Sequence, residues 1–287
     1  MGDVSPVMGD VGPVMGDVSP AMGEVSPVTS LFSADLLKDR VAVVTGGSAG
    51  IGRELARVML AHGARVAIAS RQPDNLDAAA ALLAEQTGRA PLTVPCDIRD
   101  TAAVDSLAER VRAELGTPDI VVNNAAANFR MDAERMTLRA FRTVVDVDLI
   151  GTFNVTRALV GGMLERGSGC VLSIVVPDAA RGFPHYSHAG AAKAGIVSLT
   201  ASWSREWGPR GIRVNAIAPG PVATEGATSN VFGGGSLLPE VTRRVPLGRL
   251  GTPADVAAAA LFLCSDAAGW VSGVTLAVDG GLGTAIA

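Results

Sequence analysis

Residues 41–53 read V-A-V-V-T-G-G-S-A-G-I-G-R. A β-branched apolar run stops at Gly46, and Gly50 and Gly52 then open an amphipathic stretch. A buried strand that must turn into a helix within a few residues leaves little freedom to the rest of the fold. Glycines at such a turn let backbone N–H groups approach a ligand closely, and the positive end of the helix dipole favours an anion. A pyrophosphate meets both conditions, so Gly46, Ser48, Gly50, Ile51 and Gly52 are expected to cradle one. The glycine pattern alone is weak evidence, because Gly-rich structural turns also exist. Its context is informative: a second strand-like run, Arg65–Ser70, ends about 20 residues further on, where such folds read an adenosine ribose.

Further apolar runs at Pro91–Cys96, Ile120–Asn123, Cys170–Ile174, Arg213–Ala216 and Thr275–Val278 bring the candidate strands to seven. Their lack of polar alternation suits strands covered on both faces. Helix-length segments separate most of them: Ile51–His62, Thr101–Leu115, Phe141–Arg166 and Ala189–Trp207. Alternation of this kind means right-handed βαβ units. The expected fold class is α/β: a Rossmann-type, doubly wound, parallel sheet of about seven strands with helices on both faces. No composition break divides residues 31–287, which read as one domain.

Residues 1–28 are four copies of a seven-residue unit, MGDVSPV, MGDVGPV, MGDVSPA and MGEVSPV. Gly and Pro in every copy exclude a coiled coil, and with little apolar bulk to bury, residues 1–30 are expected to be disordered. With acidic residues and no basic start, these repeats are not expected to act as a secretory leader.

A net charge of −4 without a long basic run argues against a nucleic-acid surface. No apolar run is long enough for a membrane helix, so the expectation is a soluble, cytoplasmic protein without a membrane partner. Cys96, Cys170 and Cys264 lie far apart, without CxxC or His partners, so they are expected to be buried structural thiols and no metal is expected.

The second strand-like run ends at Ser70 and is followed by Arg71, where an NAD site usually places an acid to hold the ribose hydroxyls. A guanidinium suits a 2′-phosphate, so the expected cofactor is NADP(H), with Ser70 and Arg71 at its adenosine end.

The spacing T-G-x-x-x-G-x-G resembles the short-chain dehydrogenase/reductase family, and the resemblance runs from Leu31 to about Leu282. Asp97 with Ile98, N-N-A-A at 123–126, P-G-P-V at 219–222 and V-D-G-G at 278–281 match further family marks. The resemblance implies that Asp97 and Ile98 flank adenine, that Asn124, Ala125 and Ala126 line the cofactor, and that Pro219, Gly220 and Val222 meet the nicotinamide. It also implies a homo-oligomer, with a tetramer favoured.

Family chemistry uses an Asn, a Ser, a Tyr and a Lys four residues after the Tyr. Tyr and Lys at that spacing share a helix face, and the ammonium makes the phenol a better proton donor. Here only Lys193 is present: Ala189 stands at the Tyr position, Val176 at the Ser position and Asp148 at the Asn position. Tyr186 is the only tyrosine, about 10 Å along a helix from Lys193, poorly placed for a relay, so structural or substrate packing is expected of it.

These substitutions resemble one branch, the 2,4-dienoyl-CoA reductases, and especially the peroxisomal type. N-N-A-A-A-N-F (123–129), D-V-D-L-I-G-T-F-N-V, H-A-G-A-A-K-A and E-W-G-P-R-G-I-R-V-N carry the likeness. It implies hydride addition from NADPH to C5 of a 2,4-dienoyl thioester, on CoA or a carrier protein, giving a 3-enoyl product. Implied roles are cofactor binding and positive charge for Lys193, water ordering or proton relay for Asp148, and a thioester-carbonyl donor for Asn128, with Phe129 and Tyr186 beside the substrate. The alternative for Asp148 is a structural ion pair with Lys193. Residues 226–236 are expected to form part of a substrate lid; they lack cations for CoA phosphates, which Arg130, Arg243 and Arg244 could supply. The alternatives are a natural-product reductase or cyclase of the same fold acting on another thioester, and a non-catalytic NADP-binding protein.

Overall fold

The strands are the seven apolar runs, and each strand side chain is dictated by the layer it faces. In the computed structural model, which describes residues 31–177, 182–230 and 233–284, they are β1 (Val41–Thr45), β2 (Arg65–Ser70), β3 (Leu92–Pro95), β4 (Ile120–Asn123), β5 (Gly169–Ile174), β6 (Ile212–Pro219) and β7 (Thr275–Val278). They form one sheet in the order β3-β2-β1-β4-β5-β6-β7, every neighbouring pair parallel. This is the doubly wound fold expected. The repeats at residues 1–30 lie outside the described residues.

Successive strand residues point to opposite faces, which splits the core in two. Ala42, Val44, Val66, Ile68, Val122 and Leu172 pack under α1 (Gly50–Ala61), α2 (Pro73–Thr87) and, further along the chain, the helix Pro253–Cys264. Val41, Val43, Ala67, Ala69, Val121 and Val171 pack under α3 (Thr101–Glu114), α5 (Gly151–Arg166) and α6 (Ser187–Trp207). Between them α4 (Leu138–Val145) precedes α5, and α7 (Glu225–Asn230), α8 (Leu238–Arg244) and α9, the helix Pro253–Cys264, follow β6.

Most bounds shift by one or two residues, and two elements differ by more. The helix expected over Phe141–Arg166 starts at Leu138 and is interrupted by a π-turn over Asp146–Ile150. The extra residue in that turn separates α4 from α5 and carries the 1 %-exposed Asp148. β6 runs on to Pro219 because Ile217 and Pro219 still pair with Leu276 and Val278 of β7.

The carboxyl ends of β1 to β5 converge on one edge, and the strand order reverses between β1 and β4. Loops leaving that point diverge to opposite faces and leave a crevice.

Candidate active site

A cleft of about 480 Å³ opens at this reversal. Gly46 ends β1 with φ +65°, a conformation glycine adopts without penalty. Gly52 sits where a Cβ would come within 2.2 Å of the Gly46 carbonyl oxygen and 2.4 Å of Asn124 Nδ2, so the loop closes only around a bare backbone. Asn124 fastens this loop: its Nδ2 donates to the Thr45 and Gly46 carbonyls at 2.9 and 3.3 Å, and Thr45 Oγ1 accepts from Asn124 N and Ala125 N. Asn124 therefore shapes the cradle and also lines the cleft.

At the far end Ser70, Arg71, Asp97 and Ile98 line the wall. The Ser70 hydroxyl is buried and has no partner among the described residues. Arg71 is exposed and forms no ion pair among them. Asp97 is clamped by Arg99, whose hydrogen bonds hold the carboxyl below its ordinary range, with burial opposing and the Arg71 charge assisting. An orphaned hydroxyl, an unpaired guanidinium and a glycine cradle suit a phosphorylated dinucleotide.

The opposite end holds the chemical residues. Lys193, on α6, reaches the last residue of β5, donating to the Ile174 carbonyl at 2.9 Å. Its ammonium lies 3.3 Å from Asp148 Oδ2, and the two side chains are 8 % and 1 % exposed. Asp148 Oδ1 accepts from Ala127 N at 2.8 Å. The sequence thus brings Asp148 and Lys193 together as an ion pair, with both carboxylate oxygens engaged. A buried pair is held in place by the cost of stranding either charge. One of the three ammonium N–H groups remains for a ligand. Asn128 lines the same end, and its Oδ1 is buried without a partner among the described residues. Val176 and Ala189 complete the wall, so neither position offers a hydroxyl.

Several expected residues lie elsewhere. Tyr186 is 4 % exposed, stacks on Phe183 with ring centroids 4.7 Å apart, and packs with Val144 and Ala189 behind the cleft wall. As the residue capping α6, it is drawn into that apolar cluster and is not among the cleft-lining residues. Phe129 joins the same cluster, its ring edge-on to His188 at 4.6 Å. Pro219, Gly220 and Val222 are likewise not among the cleft-lining residues; Gly220 packs so closely on Asp279 that a Cβ would meet its Cα at 2.7 Å. Ser48 and Gly50 belong to the glycine turn but are not in the lining.

Sequence reasoning passed over Ile174 and Ala127, because they act through backbone atoms that leave no side-chain signal. Thr224 and the first two residues of the expected lid, Gly226 and Ala227, line the cleft; residues 231 and 232 of that segment lie outside the described residues. His185, unreadable from sequence, has φ +64° and pairs with Asp132 at 2.8 Å. Among the described residues no group of three or more His, Cys, Asp and Glu could hold a metal, and no helix is long and apolar enough to cross a membrane.

Residues 46–283 match the family model described as Enoyl-(Acyl carrier protein) reductase. The peroxisomal 2,4-dienoyl-CoA reductase [(3E)-enoyl-CoA-producing] of Pongo abelii is 40 % identical over 252 residues, covering 88 % of this chain and 86 % of that protein. The 3-oxoacyl-[acyl-carrier-protein] reductase FabG of Chlamydia trachomatis is 37 % identical, covering 86 % and 98 %. Among solved structures, a candidate NAD(P) dependent gluconate 5-dehydrogenase of Beutenbergia cavernae, with NADP bound at low occupancy, superposes with a TM-score of 0.82 at 35 % identity, covering 88 % of this chain and all of that one.

Proposed function

This chain belongs to the short-chain dehydrogenase/reductase family, and on that premise we propose that it uses NADPH to reduce a conjugated carbon–carbon double bond of a 2,4-dienoyl thioester, giving a 3-enoyl product. The observation that carries this reading is the buried Asp148–Lys193 pair facing a cleft whose positions 176 and 189 bear no hydroxyl. Ketone reduction needs a donor that protonates an alkoxide as hydride arrives. Conjugate reduction does not: charge passes to the thioester oxygen, and the α-carbon takes its proton afterwards.

Bound NADPH would supply the hydride to C5 of the diene. Ser70, Arg71 and the Gly46–Gly52 turn hold the phosphorylated end. Lys193 presents its remaining N–H and its charge to the nicotinamide end, fixed by Ile174 and Asp148. Asn128 offers an amide that, with its Nδ2 turned to the cleft, donates to the dienolate oxygen. Asp148 holds Lys193 and the loop at Ala127, and orders the water that delivers the α-carbon proton. The exposed Ile150 and Phe153, with Phe153 beside the Trp203–Trp207 stack, support self-association of the chain.

The test is NADPH oxidation with 2,4-hexadienoyl-CoA, a 2-enoyl-CoA and a 3-oxoacyl thioester, with product analysis. Turnover of the dienoyl substrate to a 3-enoyl product supports the proposal. Turnover of the 3-oxoacyl thioester alone would replace it with the activity named for the Chlamydia relative, and NADPH binding without any turnover would make the protein a non-catalytic binder.

A further inference from the structure

At the amino-terminal edge of the sheet, opposite the cleft, lies a second cavity of about 490 Å³ whose lining includes Cys170, Cys264, Arg213, Asp266 and Trp270. Cys170 is the second residue of β5 and Cys264 the last residue of α9, so the fold joins two thiols that are remote in sequence. The Cys170 thiol lies 3.6 Å from the carbonyl oxygen of Leu263, the neighbour of Cys264, so the two thiols stand side by side in the cavity wall, close enough for each to shift the other's ionisation. Arg213 braces the same turn, donating to the Leu263 and Ser265 carbonyls at 2.7 and 3.1 Å. Both cysteines are nearly buried, at 3 % and 6 % exposure, yet each contributes to the cavity wall, which a small oxidant can enter.

We infer that Cys170 and Cys264 form a reversible thiol–disulfide site, oxidised by hydrogen peroxide entering this cavity. The Cys170 thiolate attacks one peroxide oxygen, the O–O bond breaks, and Cys170 becomes a sulfenic acid with release of hydroxide. The Cys264 sulfur then attacks the Cys170 sulfur, the S–O bond breaks, and water leaves with the Cys264 proton. Two thiols and one peroxide thus give one disulfide and two waters. The sulfurs must close to about 2.05 Å. Cys264 ends its helix and Cys170 lies near the start of its strand, so the shift is taken up at element ends.

The third cysteine is a built-in comparison. The hydrogen bond from Cys264, aided by the Arg213 charge and opposed by burial, lowers the Cys170 thiol from its ordinary value. Cys96 is pushed up to about 11 by burial, with Asp97 and Asp100 adding to it. Thiolate character governs oxidation, so Cys170 should react first and Cys96 should survive.

The full chain, treated with a small excess of hydrogen peroxide and digested without reduction, should yield a peptide joining Cys170 to Cys264. Its mass should be two hydrogens below the sum of its parts, it should separate on dithiothreitol treatment, and Cys96 should stay free. In Cys264→Ala the disulfide cannot form, and dimedone should trap a sulfenic acid on Cys170. The oxidised wild type should melt several degrees higher, because the cross-link restricts the unfolded chain. Recovery of all three thiols unchanged from peroxide-treated wild type, or oxidation of Cys96 before Cys170, would overturn the inference. The wild-type measurement decides even if the variant fails to fold, and it is independent of which thioester the enzyme reduces.

Discussion

The Lys193 ammonium and the Asp148 carboxylate meet 3.3 Å apart inside the protein, each tied to a different strand end, Lys193 to Ile174 at the close of β5 and Asp148 to Ala127 in the loop after β4. The pair therefore fixes the relative position of two cleft walls as well as a charge. Asp148→Ala strands the ammonium against a single carbonyl. Breaking such a buried pair costs about 3–5 kcal/mol of stability. The expected outcome is a drop in kcat of about 10-fold or more, for Asp148→Ala and Lys193→Met alike. The double variant should lose less than the sum of the two, since each single change already removes the interaction. Steady-state kinetics with urea unfolding separates the effects, and undiminished turnover in Asp148→Ala would remove Asp148 from the mechanism.

Arg71 stands at the adenosine end with no ion pair among the described residues, next to the orphaned Ser70 hydroxyl. A charge-assisted contact to a 2′-phosphate is worth about 1.5–3 kcal/mol. Arg71→Ala should therefore raise the KM for NADPH by about 10- to 100-fold and leave that for NADH nearly unchanged. Equal changes with both nucleotides would mean that Arg71 does not read the phosphate.

Asp255 caps α9 and pairs with Arg249, both of whose Nη atoms lie 2.8 Å from its oxygens. Arg249 first, then the Thr252 N–H and hydroxyl, hold the Asp255 carboxyl far below its ordinary range against the effect of burial. A depressed folded value contributes stability above the unfolded pKa, about 4, and that contribution is lost as pH falls towards the folded value. Because Arg249 is more than half exposed, screening limits the effect, and Asp255→Asn should cost about 1 kcal/mol, the scale of a helix cap. Thermal unfolding should show this deficit at pH 7 and a shrinking one below about pH 4. A deficit that persists unchanged in acid would place its origin outside the carboxylate.

The parts of the molecule written in local spacing were readable before any coordinates. Val41–Thr45 and Arg65–Ser70 have the same bounds in the sheet, because an apolar β-branched run between turn residues has few alternatives. Lys193 and Ala189 share a helix face and the cleft, as an i, i+4 pair must. The π-turn at Asp146–Ile150 was not readable, because one added residue in a turn leaves the apolar pattern of the surrounding helix almost intact. The burial of Tyr186 depends on Val144, which α4 brings against the turn where Phe183 stacks on it, so the local sequence leaves structural and substrate packing both open. That Cys170 and Cys264 share a cavity is not legible in the sequence, since only the folded sheet with its covering helices carries the start of β5 to the end of α9.

Gly52→Ala tests the cofactor cradle at its tightest point. The added Cβ would sit 2.2 Å from the Gly46 carbonyl oxygen, a backbone atom that cannot rotate away. Overpacking of this kind costs about 1–3 kcal/mol, and the relief available is a shift of the Gly46 turn away from α1. NADPH affinity should fall sharply, while the Lys193–Asp148 end, built on β4 and β5, keeps its geometry. Calorimetric titration with NADPH, checked by circular dichroism for an intact fold, reads the difference. Undiminished binding by a folded Gly52→Ala protein would mean that the phosphates do not rest on this turn.

Ala189 carries the most direct test of how the missing phenol limits the chemistry. Ala189 and Val176 both line the cleft, and Lys193 lies one helical turn beyond Ala189. A tyrosine at 189 would enter the cleft on the Lys193 face, but Asp148 already engages the ammonium and would compete with the phenol for it. The informative variant is therefore Asp148→Asn with Val176→Ser and Ala189→Tyr, which frees Lys193, adds a hydroxyl and restores a proton donor. A positioned general acid contributes on the order of 10²-fold or more. NADPH-dependent reduction of a 3-oxoacyl thioester should rise by that scale over the parent, and dienoyl reduction should fall as the tyrosine narrows the cleft. If the folded, NADPH-binding triple variant gains no 3-oxoacyl activity, the loss of phenol and hydroxyl is not what restricts this site to conjugate reduction.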